Sequence, residues 1–139
     1  MPFQVQKQVR FAHCDPAGIV FYPRYTALVN EVVEDWFAAG LGVGFPELHE
    51  QRRLGIPVVR LEMDFLATSR YGERLDFTLR VRELGRSSAL LEIAAACGAE
   101  QRVRARLKVV LMSLATHKAV PFDDDWRARL QPFVEPAGD

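Results

Sequence analysis

The sequence predicts an α+β fold in which one long helix covers one face of an antiparallel sheet. Two patterns carry this expectation. Tyr25, Leu28, Val29, Val32, Val33, Trp36 and Phe37 recur at three-and-four spacing, the period of a single helix face. From Ile56 onward the period changes to two and holds through four long runs, as half-buried strands require.

The elements follow in order. Phe3, Val5, Lys7, Val9 and Phe11 lie on one side of a first strand, with Gln4, Gln6, Gln8 and Arg10 on the other. That strand delivers the chain to Asp15-Pro16-Ala17-Gly18, which reads as a strand end, a tight turn and a helix start. Asp is a preferred helix N-cap, Pro suits a first helical turn, and the free N–H groups there attract negative charge. On this reading Asp15 is a cap. Gly40 is the expected stop of the central helix, and a shorter helix is expected from about Phe45 to Arg53, its start loosened by Gly42, Gly44 and Pro46.

Val59, Leu61, Met63, Phe65 and Ala67 then alternate with Val58, Arg60, Glu62, Asp64 and Leu66, and a second run from Leu75 to Arg82 does the same. Gly72 and Gly85 supply turns around that run, and a strand from about Ser88 to Cys97 ends at Gly98. In the last long strand Val103, Ala105, Leu107, Val109 and Leu111 face one way and Arg102, Arg104, Arg106 and Lys108 the other. Val110, Met112 and Leu114 make both sides apolar at its end, which predicts burial against another subunit or helix. The Asp123-Asp124-Asp125-Trp126 segment caps a short terminal helix, and a loose tail is expected from about residue 134.

A chain of 139 residues that is 49% hydrophobic buries one sizeable core, so residues 1–139 are expected to form a single domain. Eighteen Lys and Arg balance eighteen Asp and Glu, which argues against nucleic acid or an acidic membrane as the main partner. Cys14 and Cys97 have no metal-ligand spacing and no disulfide density, as suits a reducing compartment. No charged start precedes a long apolar core, and no stretch is apolar for the roughly 18 residues of a membrane span. The expectation is a soluble, cytoplasmic protein without a metal site.

The run Asp15-Pro16-Ala17-Gly18-Ile19-Val20, followed by Tyr22-Pro23 and Tyr25, resembles the signature of the 4-hydroxybenzoyl-CoA thioesterase family, most densely over residues 9–25. The resemblance implies the hotdog fold, an antiparallel sheet wrapped around one long central helix. It also implies hydrolysis of an aromatic or short acyl-CoA to free acid and CoA, with Asp15 attacking the thioester carbonyl or activating water beside it. Two sheets commonly join edge to edge in that family, with active sites at the subunit interface. A homo-oligomer, dimer or dimer of dimers (a homotetramer), is therefore implied. No cofactor is needed, coenzyme A being part of the substrate. Many members carry an acidic residue two positions before the catalytic Asp, where this chain has His13.

The remaining site candidates take their roles from the same resemblance. Tyr22 sits where a backbone N–H polarises the carbonyl, and Gly18 lets the backbone approach substrate closely. Tyr25 and Asn30 are substrate-binding positions, and Tyr22, Tyr25 and Phe65 suit either an aromatic acyl pocket or the core. Asn30 replaces the acidic group expected to meet a ring hydroxyl in hydroxybenzoyl-specific relatives, and Thr26 lies one turn before it. Arg86 and Lys118 are candidates for the coenzyme A phosphates, and the Arg102, Arg104, Arg106 and Lys108 stripe is a second option or simply a solvated strand face.

Cys14 reads as a small hydrophobe, and His13 as a surface or hydrogen-bonded structural residue pointing away from Asp15. His49 and His117 stand isolated, which argues against catalysis by either. Two alternatives differ in kind: a non-hydrolytic acyl-CoA binding or scaffold protein, and a hotdog hydroxyacyl-thioester dehydratase, whose His–carboxylate arrangement the sequence does not offer.

Overall fold

The computed structural model describes residues 1–138. The first strand, β1 (Phe3–Gln8), is followed by the central helix α1 (Tyr22–Asp35), which continues as a π-helical turn over Trp36–Leu41, and by a short π-helical turn over Glu47–Gln51. Six strands follow: β2 (Leu54–Gly55), β3 (Val58–Phe65), β4 (Arg74–Leu84), β5 (Ser88–Cys97), β6 (Glu100–Val110) and β7 (Met112–Ser113). The last helix is α2 (Asp124–Leu130). Five strands form one antiparallel sheet in the order β1-β4-β5-β6-β3, and β2 pairs with β7 beside it.

Alternation decides which face of the sheet is dry. Leu75, Phe77, Leu79 and Val81 of β4, Ala89, Leu91, Ile93 and Ala95 of β5, and Val103, Ala105, Leu107 and Val109 of β6 are all buried in one core with Tyr25, Leu28, Val29, Val32 and Val33 of α1. The sheet thus packs its apolar face on one helix, as the alternation and the helical period predicted. Lys7 of β1 shares that inner side only through its stem, and its ammonium meets Asp35 at 2.6 Å on α1.

Several boundaries move. The first strand stops at Gln8, and Phe11 belongs to a 3-10 turn over Phe11–His13 with its ring 76% exposed. Gly40 does not end the helix. It leaves room for the Trp36 ring, because a Cβ at Gly40 would stand 2.6 Å from Trp36 Cδ1 and 3.1 Å from Phe133 Cζ. The stop is Gly42, left-handed at φ 77°, where Arg129 also donates to the Leu41 carbonyl. Asp123 caps α2 as expected, accepting from Trp126 N at 2.8 Å.

The late apolar residues Met112 and Leu114 are half-covered by the chain itself. Leu54 and Gly55 pair with Ser113 and Met112, and Leu114 lies over Gly55. A run of exposed apolar side chains lies on the edge strand β3 and the residue after it, at Val58, Val59, Leu61, Phe65 and Leu66. The segment expected to trail from about 134 is tied down through Glu135, whose N–H donates to Val81 O and whose carbonyl accepts from Arg82. Among the described residues no helix is long and apolar enough to cross a membrane.

Candidate active site

The Asp15 turn is a hairpin of its own, placed ahead of the helix. Cys14 pairs with Val20, Asp15 N donates to Ile19 O at 3.0 Å, and Gly18 N donates back to Asp15 O at 2.9 Å. Gly18 has φ 81°, a left-handed conformation that residues with a Cβ adopt at a cost. The Asp15 carboxylate folds over the turn, with Oδ1 accepting from Ala17 N at 2.8 Å. The second oxygen takes part in none of the turn's hydrogen bonds.

Asp15 therefore caps no helix. The N-cap of α1 is Phe21, which is extended and offers no side-chain acceptor. Pro23 has no N–H, and Arg24 N donates to Phe21 O, so the Tyr22 N–H is the donor that the helix entrance presents. Phe21 N also donates to His13 O, which seats the hairpin against the start of the helix.

His13 ends the 3-10 turn and is joined to Asp15 through an extended Cys14. His13 is hydrogen-bonded within its own turn, as the sequence reading of a structural histidine expects. His13 Nδ1 accepts from Arg10 N at 2.8 Å, which places the proton of a neutral imidazole on Nε2. Cys14 Sγ is turned toward Arg10 O and half-buried against the core.

Aromatic rings line the approach. Tyr25 is 4% exposed with its hydroxyl buried and unpaired, Tyr22 is 63% exposed, and the Phe65 ring packs on both at 5.7 and 6.1 Å between centroids. On the other side Tyr71 packs edge-on against Phe11 and sits over Gly18. Thr26 Oγ1 meets Met63 Sδ at 3.7 Å.

Asn30 lies eight residues beyond Tyr22, about 12 Å along the helix. There it borders an apolar cavity of about 280 Å³ with Val33, Phe45, Ile56, Pro57, Val58, Met112 and Leu114. His49, discounted on the sequence for its isolation, stands on the same wall with its ring against Phe45. Nothing in the spacing of residues 30 and 49 signals that meeting, because the loop that makes it has no period.

Arg86 and Lys118 are both exposed, near the end of the sheet where β6 finishes. Phe122 N donates to Arg86 O and Ser113 N to Lys118 O. The Asp15 hairpin hangs on Ser69 and Arg70, at the end where β6 begins. Eleven residues of β6 separate the two ends, roughly 33 Å of strand. One protomer does not bring these cations to Asp15. A wider cavity of about 500 Å³, lined by Arg60, Glu62, Glu83, Arg106 and Lys108 among others, takes in two residues of the basic stripe but neither Asp15, Arg86 nor Lys118.

Arg102 departs from its stripe. It is only 7% exposed, and its guanidinium donates to both oxygens of Glu73, at 3.0 and 2.9 Å, and to Thr68 O at 2.8 Å. That hydrogen bond, aided by one from Arg70 N, holds the Glu73 carboxyl at about 2, well below the usual carboxylate range. A guanidinium so engaged is not a phosphate site, and no linear pattern reveals the pair, 29 residues apart.

Comparison with known proteins bears on the fold and the family. The chain is 25% identical over 136 residues to a 1,4-dihydroxy-2-naphthoyl-CoA hydrolase of Synechocystis sp., covering 96% of this chain and 98% of the relative. It is 29% identical over 85 residues to the 4-hydroxybenzoyl-CoA thioesterase of Pseudomonas sp. strain CBS-3, 60% of each chain. The solved structure of a gentisyl-coenzyme A thioesterase superposes with a TM-score of 0.81 at 26% identity, covering 90% of this chain and 99% of that one. The fold is the hotdog fold, and the match to the family model of the thioesterase-like superfamily runs over residues 9–130. The chain belongs to the thioesterase-like superfamily.

Proposed function

We propose that this protein hydrolyses the thioester of an aromatic or short acyl-CoA, with Asp15 as the reacting carboxylate. The observation that carries the reading is the Asp15 hairpin itself. It fixes one carboxylate oxygen on Ala17 N–H and leaves the other out of the turn's bonding, and the hairpin that carries it is joined to the helix entrance, where the Tyr22 N–H is free, through Phe21 N and His13 O. A thioester carbonyl placed between them meets a nucleophile or base on one side and a hydrogen-bond donor on the other.

As a nucleophile, Asp15 adds to the carbonyl carbon, the C–S bond breaks with its electron pair on the CoA sulfur, and water then cleaves the mixed anhydride. As a base, it takes a proton from water as the water oxygen adds to the same carbon, and the tetrahedral adduct then collapses, the C–S bond breaking with its electron pair on the CoA sulfur, which takes up that proton. Both routes end in free acid and CoA with no cofactor beyond the substrate. The relatives that act on naphthoyl-CoA, hydroxybenzoyl-CoA and gentisyl-CoA support an aromatic acyl group, as do the exposed rings of Phe65 and Tyr22. The cavity bordered by Asn30 and His49 supplies polar contacts for a substituent on that group.

The active unit is a homodimer or a dimer of dimers. Its support is the apolar edge of β3, and a composite site also answers the separation of Arg86 and Lys118 from Asp15 within one chain. Thiol release measured across a panel of acyl-CoAs tests the activity, with turnover expected on aromatic thioesters. No release from any member of the panel by the folded chain overturns it in favour of a binding protein.

A further inference from the structure

We propose that the pair formed by the buried Arg102 and the partly exposed Glu73 is the positioning device of the catalytic turn. Glu73 closes the segment 66–73, and Arg102 ties that segment to β6 at both ends. Its guanidinium donates to Thr68 O, Ser69 Oγ and Glu73, while its own carbonyl accepts from Leu66 N and Ala67 N. Its Nε also faces Glu100 at 2.6 Å, as an ion pair outside hydrogen-bond geometry.

The segment so fixed carries the Asp15 hairpin. Ser69 O accepts from Val20 N at 2.9 Å, and Arg70 pairs with Ile19, whose carbonyl in turn receives Asp15 N. Glu73 O accepts from Val9 N, and Gly72 N donates to Val9 O, so the strand leading into the hairpin is held by the same segment. Both entrances to the turn thus lead back to one guanidinium. Hydrogen bonding to a carboxylate in a bidentate fork is directional, and a lysine at 102 keeps the charge without the fork. Misplacing a reacting group by about 1 Å costs on the order of 10²-fold in rate.

The inference rests on Asp15 being the reacting carboxylate, and the test separates the two. Arg102→Lys and Glu73→Gln are compared with the native chain for kcat, KM and amide exchange at Asp15 and Val20. Arg82→Lys serves as the control, because the Arg82–Glu92 pair is similarly enclosed in the same sheet but contacts nothing in segment 66–73. The expected result is a fall in kcat on the order of 10²-fold with KM within about threefold, and faster exchange at Asp15 and Val20, in the two variants and not in the control.

If kcat stays within about twofold in folded Arg102→Lys and Glu73→Gln, the pair is structural only and the proposal falls. It falls equally if kcat drops with exchange at Asp15 and Val20 unchanged, or if Arg82→Lys does the same. Should Arg102→Lys not fold, Glu73→Gln carries the comparison. Asp15→Asn is run in parallel: full turnover there overturns the role of Asp15, while the exchange data still decide whether the pair holds the turn.

Discussion

Asp15 carries the whole chemical argument at a single residue, so its substitution is the sharpest measurement. An amide at that position neither attacks nor accepts a proton, and Asp15→Asn is expected to fold normally and lose on the order of 10² to 10⁴-fold in turnover. Thiol release near the native rate would leave Asp15 a turn residue only. Gly18 makes a complementary case. A Cβ there meets nothing closer than Tyr71 Cε1 at 3.9 Å, so the cost of Gly18→Ala is backbone strain at φ 81°, about 1 to 2 kcal/mol, read as a lowered Tm. An unchanged Tm would mean that the turn relaxes out of the left-handed region. Asp15, Gly18 and Tyr22 could be singled out as candidates in the sequence because they lie within eight residues, in one run that resembles a family signature. Asn30 meets His49 through a loop, and Arg102 meets Glu73 across the sheet, so neither meeting left a linear trace.

Strands β4, β5 and β6 were readable because burial on one face imposes a period of two, and β5 matched its expected range from Ser88 to Cys97, whereas β3, expected to be half-buried, is exposed on both faces apart from Met63 because it is the sheet edge. Helix ends were less so, because a glycine in sequence does not say whether it is needed for its φ or for its missing Cβ. Gly40 is needed for the second reason. Gly40→Ala forces a methyl into the Trp36 and Phe133 rings and is expected to cost about 1 to 3 kcal/mol by overpacking. Chemical denaturation checks this, and a native midpoint would show that the Trp36 ring yields freely. The Glu73 and Arg102 pair adds a pH term. A carboxyl lowered to about 2 contributes stability that is fully present above its unfolded value near 4.5 and is lost as pH falls through about 2. Acid unfolding of Glu73→Gln should therefore lose the part of its slope between those values, and an unchanged acid profile would contradict the bond.

The two edges of the sheet differ in a way that decides how the whole molecule meets its surroundings. β1 turns Gln4, Gln6 and Gln8 outward, whereas β3 and the residue after it expose Val58, Val59, Leu61, Phe65 and Leu66 along an edge with unpaired backbone groups. An eight-residue edge strand with exposed apolar side chains between its charges is an aggregation hazard unless something covers it, and a second copy of the same strand, related by a two-fold axis, covers both at once. Antiparallel pairing of two β3 strands also carries the Arg86 and Lys118 end of one chain toward the Asp15 end of the other. Light scattering is expected to give at least twice 15.7 kDa, and Leu61→Lys to lower mass and turnover together. A fully active monomer would end the argument. The composite site has a sharper test in mixing two inactive chains, Asp15→Asn and Arg86→Glu/Lys118→Glu. After random re-pairing about half the dimers are hybrids, each with one intact site, and about a quarter of native activity should return. If each site drew its cations from its own chain, no hybrid would hold an intact site and the mixture would stay inactive.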